Sequence, residues 1–145
     1  MNFFDSIQTS LSGLTAQRVR MNVVSSNLAN TNTTRTEEGG PYVRKEPVFS
    51  AKPVQSSFGE ILSTEMGGDL AEVSVMDIIN DSRKPIQKFD PSHPDADAQG
   101  FVSLPNINTM EEMVNMMTAS RSYEANVTVI STSKNMVLKA LEIGR

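Results

Sequence analysis

Apolar and polar residues follow different periods in different parts of this chain, and the changes of period divide it into three. From residue 4 to 29, steps of three and four lead through Phe4, Ile7, Leu11, Leu14, Arg18, Met21, Ser25 and Leu28. This heptad pattern with two polar members predicts a helix. No Pro interrupts it, and its only Gly is Gly13. The run Asn30-Thr31-Asn32-Thr33-Thr34 ends it, because short polar side chains compete for backbone hydrogen bonds. A second helix is predicted over 109–143. Pro105 precedes it, Thr109 with Glu112 fits a capping box, and Gly144 closes it. Its walk from Met113 runs through Met116, Ser120, Tyr123, Val127, Ile130, Lys134, Val137 and Leu141.

The middle, 31–105, holds all seven Pro and most of the Gly. Short strands are expected over 41–51, 71–79 and 101–104. They are separated by turns at Gly39-Gly40-Pro41, Gly67-Gly68-Asp69 and Asp90-Pro91-Ser92-His93-Pro94. The predicted fold class is α+β: an antiparallel, coiled-coil-like pair of long terminal helices with a small β-rich insertion. Residues 1–30 and 106–145 then make a paired-helix inner domain, and 31–105 a β-rich central insertion with long loops.

Charge sharpens this division. Residues 1–30 carry only Asp5, Arg18 and Arg20, whereas 31–105 carry twelve acids and seven bases. A solvent-facing helix normally covers its outer surface with charge. The first helix instead offers Ser, Thr, Asn and Gln, a surface suited to packing against other helices. Five of the nine Met lie between Met110 and Met136, where flexible thioethers suit an irregular packed interface. The residues expected to carry assembly and packing, within or between subunits, are Ile7, Leu11, Leu14, Met21, Leu28, Ala29, Asn30, Met113, Met117, Tyr123, Val127, Ile130, Val137 and Leu141. Asn22, Asn27, Asn30 and Asn32 could bond between packed helices, but near a helix end capping is the favoured reading.

The net charge of −4 argues against a nucleic-acid binder or a polybasic anchor. With no Cys there is neither a disulfide nor a thiolate metal site. The N-terminal stretch lacks a basic n-region, and Asp5, Gln8, Ser10 and Ser12 break up its apolar residues, so a cleaved signal peptide and direct membrane insertion are not expected. No cofactor, metal or catalytic residue is assigned, and the chain reads as a non-enzyme. His93, the only His, lies among Asp90, Asp95 and Asp97, but in a loop with Pro91 and Pro94, where Asp serves turn geometry.

Leu28-Ala29-Asn30-Thr31-Asn32-Thr33, following a helix with Leu11, Leu14 and Ala16, resembles the N-terminal signature of the bacterial flagellar axial proteins of rod and hook. Many members continue Pro-Gly-Tyr-Lys. This chain departs from that, reading Thr34-Arg35-Thr36-Glu37-Glu38-Gly39-Gly40-Pro41-Tyr42, a variant that resembles the proximal rod proteins. Two further stretches agree with them: Pro91-Ser92-His93-Pro94-Asp95-Ala96-Asp97 leading to Gly100-Phe101-Val102, and Ala119-Ser120-Arg121-Ser122-Tyr123-Glu124-Ala125-Asn126 leading to the terminal Ile143-Gly144-Arg145. The resemblance implies a subunit of a hollow helical rod in the periplasm, its end helices lining the rod. It further implies unfolded export through the flagellar type III apparatus, and contacts with copies of itself and with proximal and distal rod proteins. Two rival readings stand beside it. One is a soluble coiled-coil adapter or export-apparatus binding partner, and the other is a metal-dependent enzyme built on His93.

Overall fold

The computed structural model describes residues 3–53 and 71–143. The expected turn at Gly67-Gly68-Asp69 and the helix stop at Gly144 lie outside the described residues. The elements in order are α1 (Phe3–Ala29), β1 (Lys45–Pro53), β2 (Ala71–Asn80), β3 (Ile86–Phe89), β4 (Phe101–Leu104) and α2 (Thr109–Ile143). β1 pairs with β2, and β3 pairs antiparallel with β4 in the register Ile86↔Leu104 to Phe89↔Phe101. The fold is the expected α+β arrangement.

The helix bounds follow local chemistry. At the end of α1, Asn30 donates from Nδ2 to the Ser26 carbonyl at 2.9 Å, and Thr31 Oγ1 donates to the Leu28 carbonyl at 2.8 Å. The polar run therefore satisfies the last carbonyls that the helix itself cannot. At the start of α2 the structure corrects the expected capping box. The cap is Asn108, whose Oδ1 accepts from the Met110 N–H at 3.0 Å. Glu112 does not reach back to the helix start, because its carboxylate is buried elsewhere. The strand expected over 41–51 begins only at Lys45, since the Tyr42 N–H is spent on the Thr33 carbonyl at 3.1 Å. β3 was not expected from its own four residues.

The chain forms two compact units: Met1–Val19 with Phe49–Met76 and Ala119–Arg145, and Arg20–Val48 with Asp77–Thr118. In the first, a Cβ added to Gly13 would lie 2.9 Å from Asn126 Nδ2, so the two helix backbones approach closely there. In the same unit the Ser12 hydroxyl accepts the Val73 N–H at 3.1 Å, and the Gln8 amide donates to Glu72. In the second, Asn27 bonds Glu112 at 3.0 Å.

The side chains buried on the helices are small or polar: Ser10, Ala16, Val23, Val24 and Asn27 on α1, and Glu112, Ala119 and Ser133 on α2. They lie beside the predicted heptads, not on them. On α2, Glu112, Ala119 and Ser133 each stand one residue before Met113, Ser120 and Lys134 of the expected walk, which is about 100° around the axis. The walk followed the largest apolar residues, whereas a close backbone approach selects the smallest.

Candidate assembly surface and its buried support

Two arrangements in this chain could do work: the outward stripes of the helices, and the polar junction that holds the helix pair together in the second unit. The stripes come first. Along α1, Phe4, Gln8, Leu11, Thr15, Arg18, Asn22, Ser25 and Ala29 are all exposed, and their spacing of three and four is itself a heptad register. Leu11 is 50% exposed. Along α2, Met110, Met113, Val114 and Met117 are exposed in the first turns, and Val127, Leu138 and Leu141 further on. Leu141 is 66% exposed.

None of the fourteen residues expected to carry packing is buried within the chain. Leu11, Ala29, Met113, Met117, Val127 and Leu141 are exposed, whereas Ile7, Leu14, Met21, Leu28, Asn30, Tyr123, Ile130 and Val137 are half-buried. The structure does not gather them into one intrachain core. It leaves them on and beside the outward faces of α1 and α2.

The junction is built around Asn27, whose side chain is 0% exposed. Its Nδ2 donates to the Lys45 carbonyl at 2.9 Å and to Glu112 Oε2 at 3.0 Å. Its Oδ1 accepts the Lys45 N–H at 3.0 Å and the Tyr42 hydroxyl at 3.1 Å. All four hydrogen-bonding positions of the amide are thereby filled. Glu112, also 0% exposed, receives Arg44 through Nε at 2.9 Å and Nη2 at 2.8 Å, both on Oε1. Arg44 reaches outward with Nη1 to Glu46 at 3.2 Å and to Asp81 at 3.5 Å. Burial pushes the Arg44 guanidinium down, but the hydrogen bonds and charges of Glu112 and then Glu46 together outweigh it and hold the group above its ordinary value. Arg83 pairs with Asp81 through Nε at 2.7 Å and Nη2 at 2.6 Å. The Arg83 hydrogen bonds bring the Asp81 carboxyl down to about 2.

Capping was the favoured reading for Asn27, and the structure makes it an interhelical bond instead. Arg44 was not singled out at all. The available signal was Glu112, an acid spaced seven residues from Ala119 on the buried side of α2. Its partners, however, lie 85 and 68 positions away in sequence.

The acidic loop around His93 serves its own backbone. Asp90 Oδ1 accepts from the Ser92 hydroxyl at 2.7 Å, and Asp97 Oδ1 accepts the N–H groups of Gln99 at 2.8 Å and Phe101 at 2.9 Å. His93 Nδ1 accepts the Asp95 N–H at 3.1 Å, and Asp95 Oδ2 takes the Thr34 hydroxyl at 2.7 Å. The Ser92 hydrogen bond holds Asp90 below its ordinary range. Among the described residues no group of three or more His, Asp or Glu could hold a metal ion, and no helix is long and apolar enough to cross a membrane.

Comparison with known families assigns these parts. Residues 7–35 match the family described as flagella basal body rod protein, and 98–143 match the flagellar basal body rod FlgEFG protein C-terminal family. The two matches cover most of α1 and all of α2, and they define the class: flagellar basal-body rod proteins, which are structural and not enzymes. Relatives similar along the whole chain narrow it. A flagellar basal-body rod protein FlgC of Bacillus subtilis is 45% identical, with 100% of both chains covered. One of Borreliella burgdorferi is 42% identical over 99% of this chain and 98% of its own. One of Escherichia coli O6:H1 is 39% identical over 100% of this chain and 98% of its own. The chain belongs to the FlgC family and is a structural subunit of the basal-body rod.

Proposed function

We propose that this subunit enters the rod through the outward stripes of its two terminal helices, which pack against copies of itself and against other proximal and distal rod proteins. The observation that carries this reading is an inversion. The buried side chains of both helices are small or polar, whereas Leu11, Met113, Met117, Val127 and Leu141 stand exposed. An exposed run of Met, Val and Leu on α2, and a stripe with a single charge on α1, are unusual on a free-standing helix pair and fit surfaces that become covered. Packed in a tube, many such stripes transmit torque through a continuous apolar interface, with no single bond bearing it.

Residues 1–30 and 106–145 act as the inner, rod-lining domain, and 31–105 as the part that selects axial neighbours. The subunit reaches the periplasm through the flagellar type III export apparatus.

The test is to place Leu11→Asp, Met117→Asp and Leu141→Asp singly in a motile strain and isolate basal bodies. Loss of the rod is expected in each, with the purified chain keeping its helical circular dichroism. Complete rods carrying all three changes together would rule out the outward stripes as the assembly surface.

A further inference from the structure

Three methionines share one exposed face of α2. Met110, Met113 and Met117 lie three and four residues apart in its first turns and are 68%, 42% and 54% exposed. The other side of the same turns is anchored. Glu112 is 0% exposed and bonds Arg44 and Asn27, and Met110 and Met117 stand about 160° and 140° around the axis from it. The buried carboxylate thus holds the three thioethers toward solvent. A thioether sulfur is the one readily oxidised atom on an apolar side chain, and oxidation makes that side chain polar.

We infer that Met110, Met113 and Met117 form an oxidation site for peroxides, and that their sulfoxides stop the free subunit from packing into the rod. This inference rests on the outward-stripe reading. In each reaction the sulfur takes one oxygen of hydrogen peroxide. An S–O bond forms, the O–O bond breaks, and the second oxygen leaves as water. The thioether is oxidised by two electrons and the peroxide is reduced by two, with no further reactant. The product carries a strong acceptor that water satisfies on the free subunit. A dry apolar contact with a neighbouring subunit does not satisfy it, so the stripe becomes costly to cover. Met76 and Met136 are 68% and 60% exposed, and neither belongs to the outward stripe of α2. They should react at similar rates without this consequence.

The first measurement uses the purified full chain, treated with hydrogen peroxide and followed site by site by peptide mass spectrometry. Met110, Met113 and Met117 are expected to oxidise several-fold faster than the half-buried Met21 and Met116, with helical circular dichroism retained. Equal rates at all five would overturn the proposal. The second measurement induces the chain in a motile strain under sublethal hydrogen peroxide and counts complete rods in isolated basal bodies. Peroxide is expected to lower the count several-fold for the native chain and for Met76→Leu/Met136→Leu. It should do so only slightly for Met110→Leu/Met113→Leu/Met117→Leu, because Leu keeps the volume and cannot be oxidised in this way. Equal losses in the native chain and the stripe variant would overturn the proposal. If that triple variant builds no rods without peroxide, Met110→Leu and Met117→Leu singly carry the same comparison. The two readings fail separately. Complete rods from the Asp substitutions sink the outward stripes, whereas rodless Asp variants with equal peroxide losses sink the oxidation site alone.

Discussion

The inner contact of the helix pair and the outward stripes of the same helices invert the usual arrangement of a soluble domain. Inside, the buried set includes Ser10, Asn27, Glu112 and Ser133 beside Ala16, Val23, Val24 and Ala119. Outside stand Leu, Met and Val. A chain that finished folding on its own would place its largest apolar side chains inward, where each is worth about 1.5–3 kcal/mol. Here the inner contact supplies geometry and the outer stripes hold the unspent apolar surface. Under the proposed assembly, adhesion falls to the exposed sides of the two helices.

Breaking the inner contact at its polar junction should have the largest effect on the isolated chain. Glu112→Ala leaves Arg44 buried without its main partner and is expected to cost about 3–5 kcal/mol, measured as a lowered midpoint in urea. A midpoint equal to that of the unsubstituted chain would mean that the junction supports nothing. Gly13→Leu, at the closest backbone approach, should cost about 1–3 kcal/mol by overpacking against Asn126 and should lower the thermal midpoint. Gly13→Ala need only displace the flexible end of the Asn126 side chain and should be much milder, so the two together measure how tight the contact is.

The smallest effect is expected at the outer edge of the junction. The Asp81 carboxyl is lowered to about 2 from an ordinary 3.8, chiefly by its hydrogen bonds from Arg83. A lowered folded-state value favours folding at pH above about 3.8, and that contribution fades as pH falls toward 2. The difference in thermal midpoint between the native chain and Asp81→Asn should therefore be full at pH 5 and shrink by pH 2. A difference independent of pH would show that the pair with Arg83 acts through packing and not through charge.

Much of the architecture was legible because it is local. The start of α2 and the bounds of β4 follow from Pro105, the polar entry to the helix and a short apolar run. The end of α1 follows from the Asn and Thr side chains that bond its last carbonyls. β3 was missed because Ile86–Phe89 carries no pattern of its own and becomes a strand only beside Phe101–Leu104, where Phe89 and Phe101 pack edge to face at 5.3 Å. The flagellar signature, too, was on the page as Leu28-Ala29-Asn30-Thr31-Asn32-Thr33.

The sequence by itself determined that there are two long helices with heptad spacing, that a Pro-rich middle separates them, and that neither helix wears the charge of a solvent-facing surface. Only the tertiary structure decided which face turns inward. Spacing fixes which residues share a stripe, but a heptad contains several stripes, and the choice among them depends on contacts far apart in sequence. The approach at Gly13 admits only small side chains, and Glu112 finds its partners 68 and 85 residues away in Arg44 and Asn27. Those separations are invisible to any local period, and with them goes the choice of which face is buried.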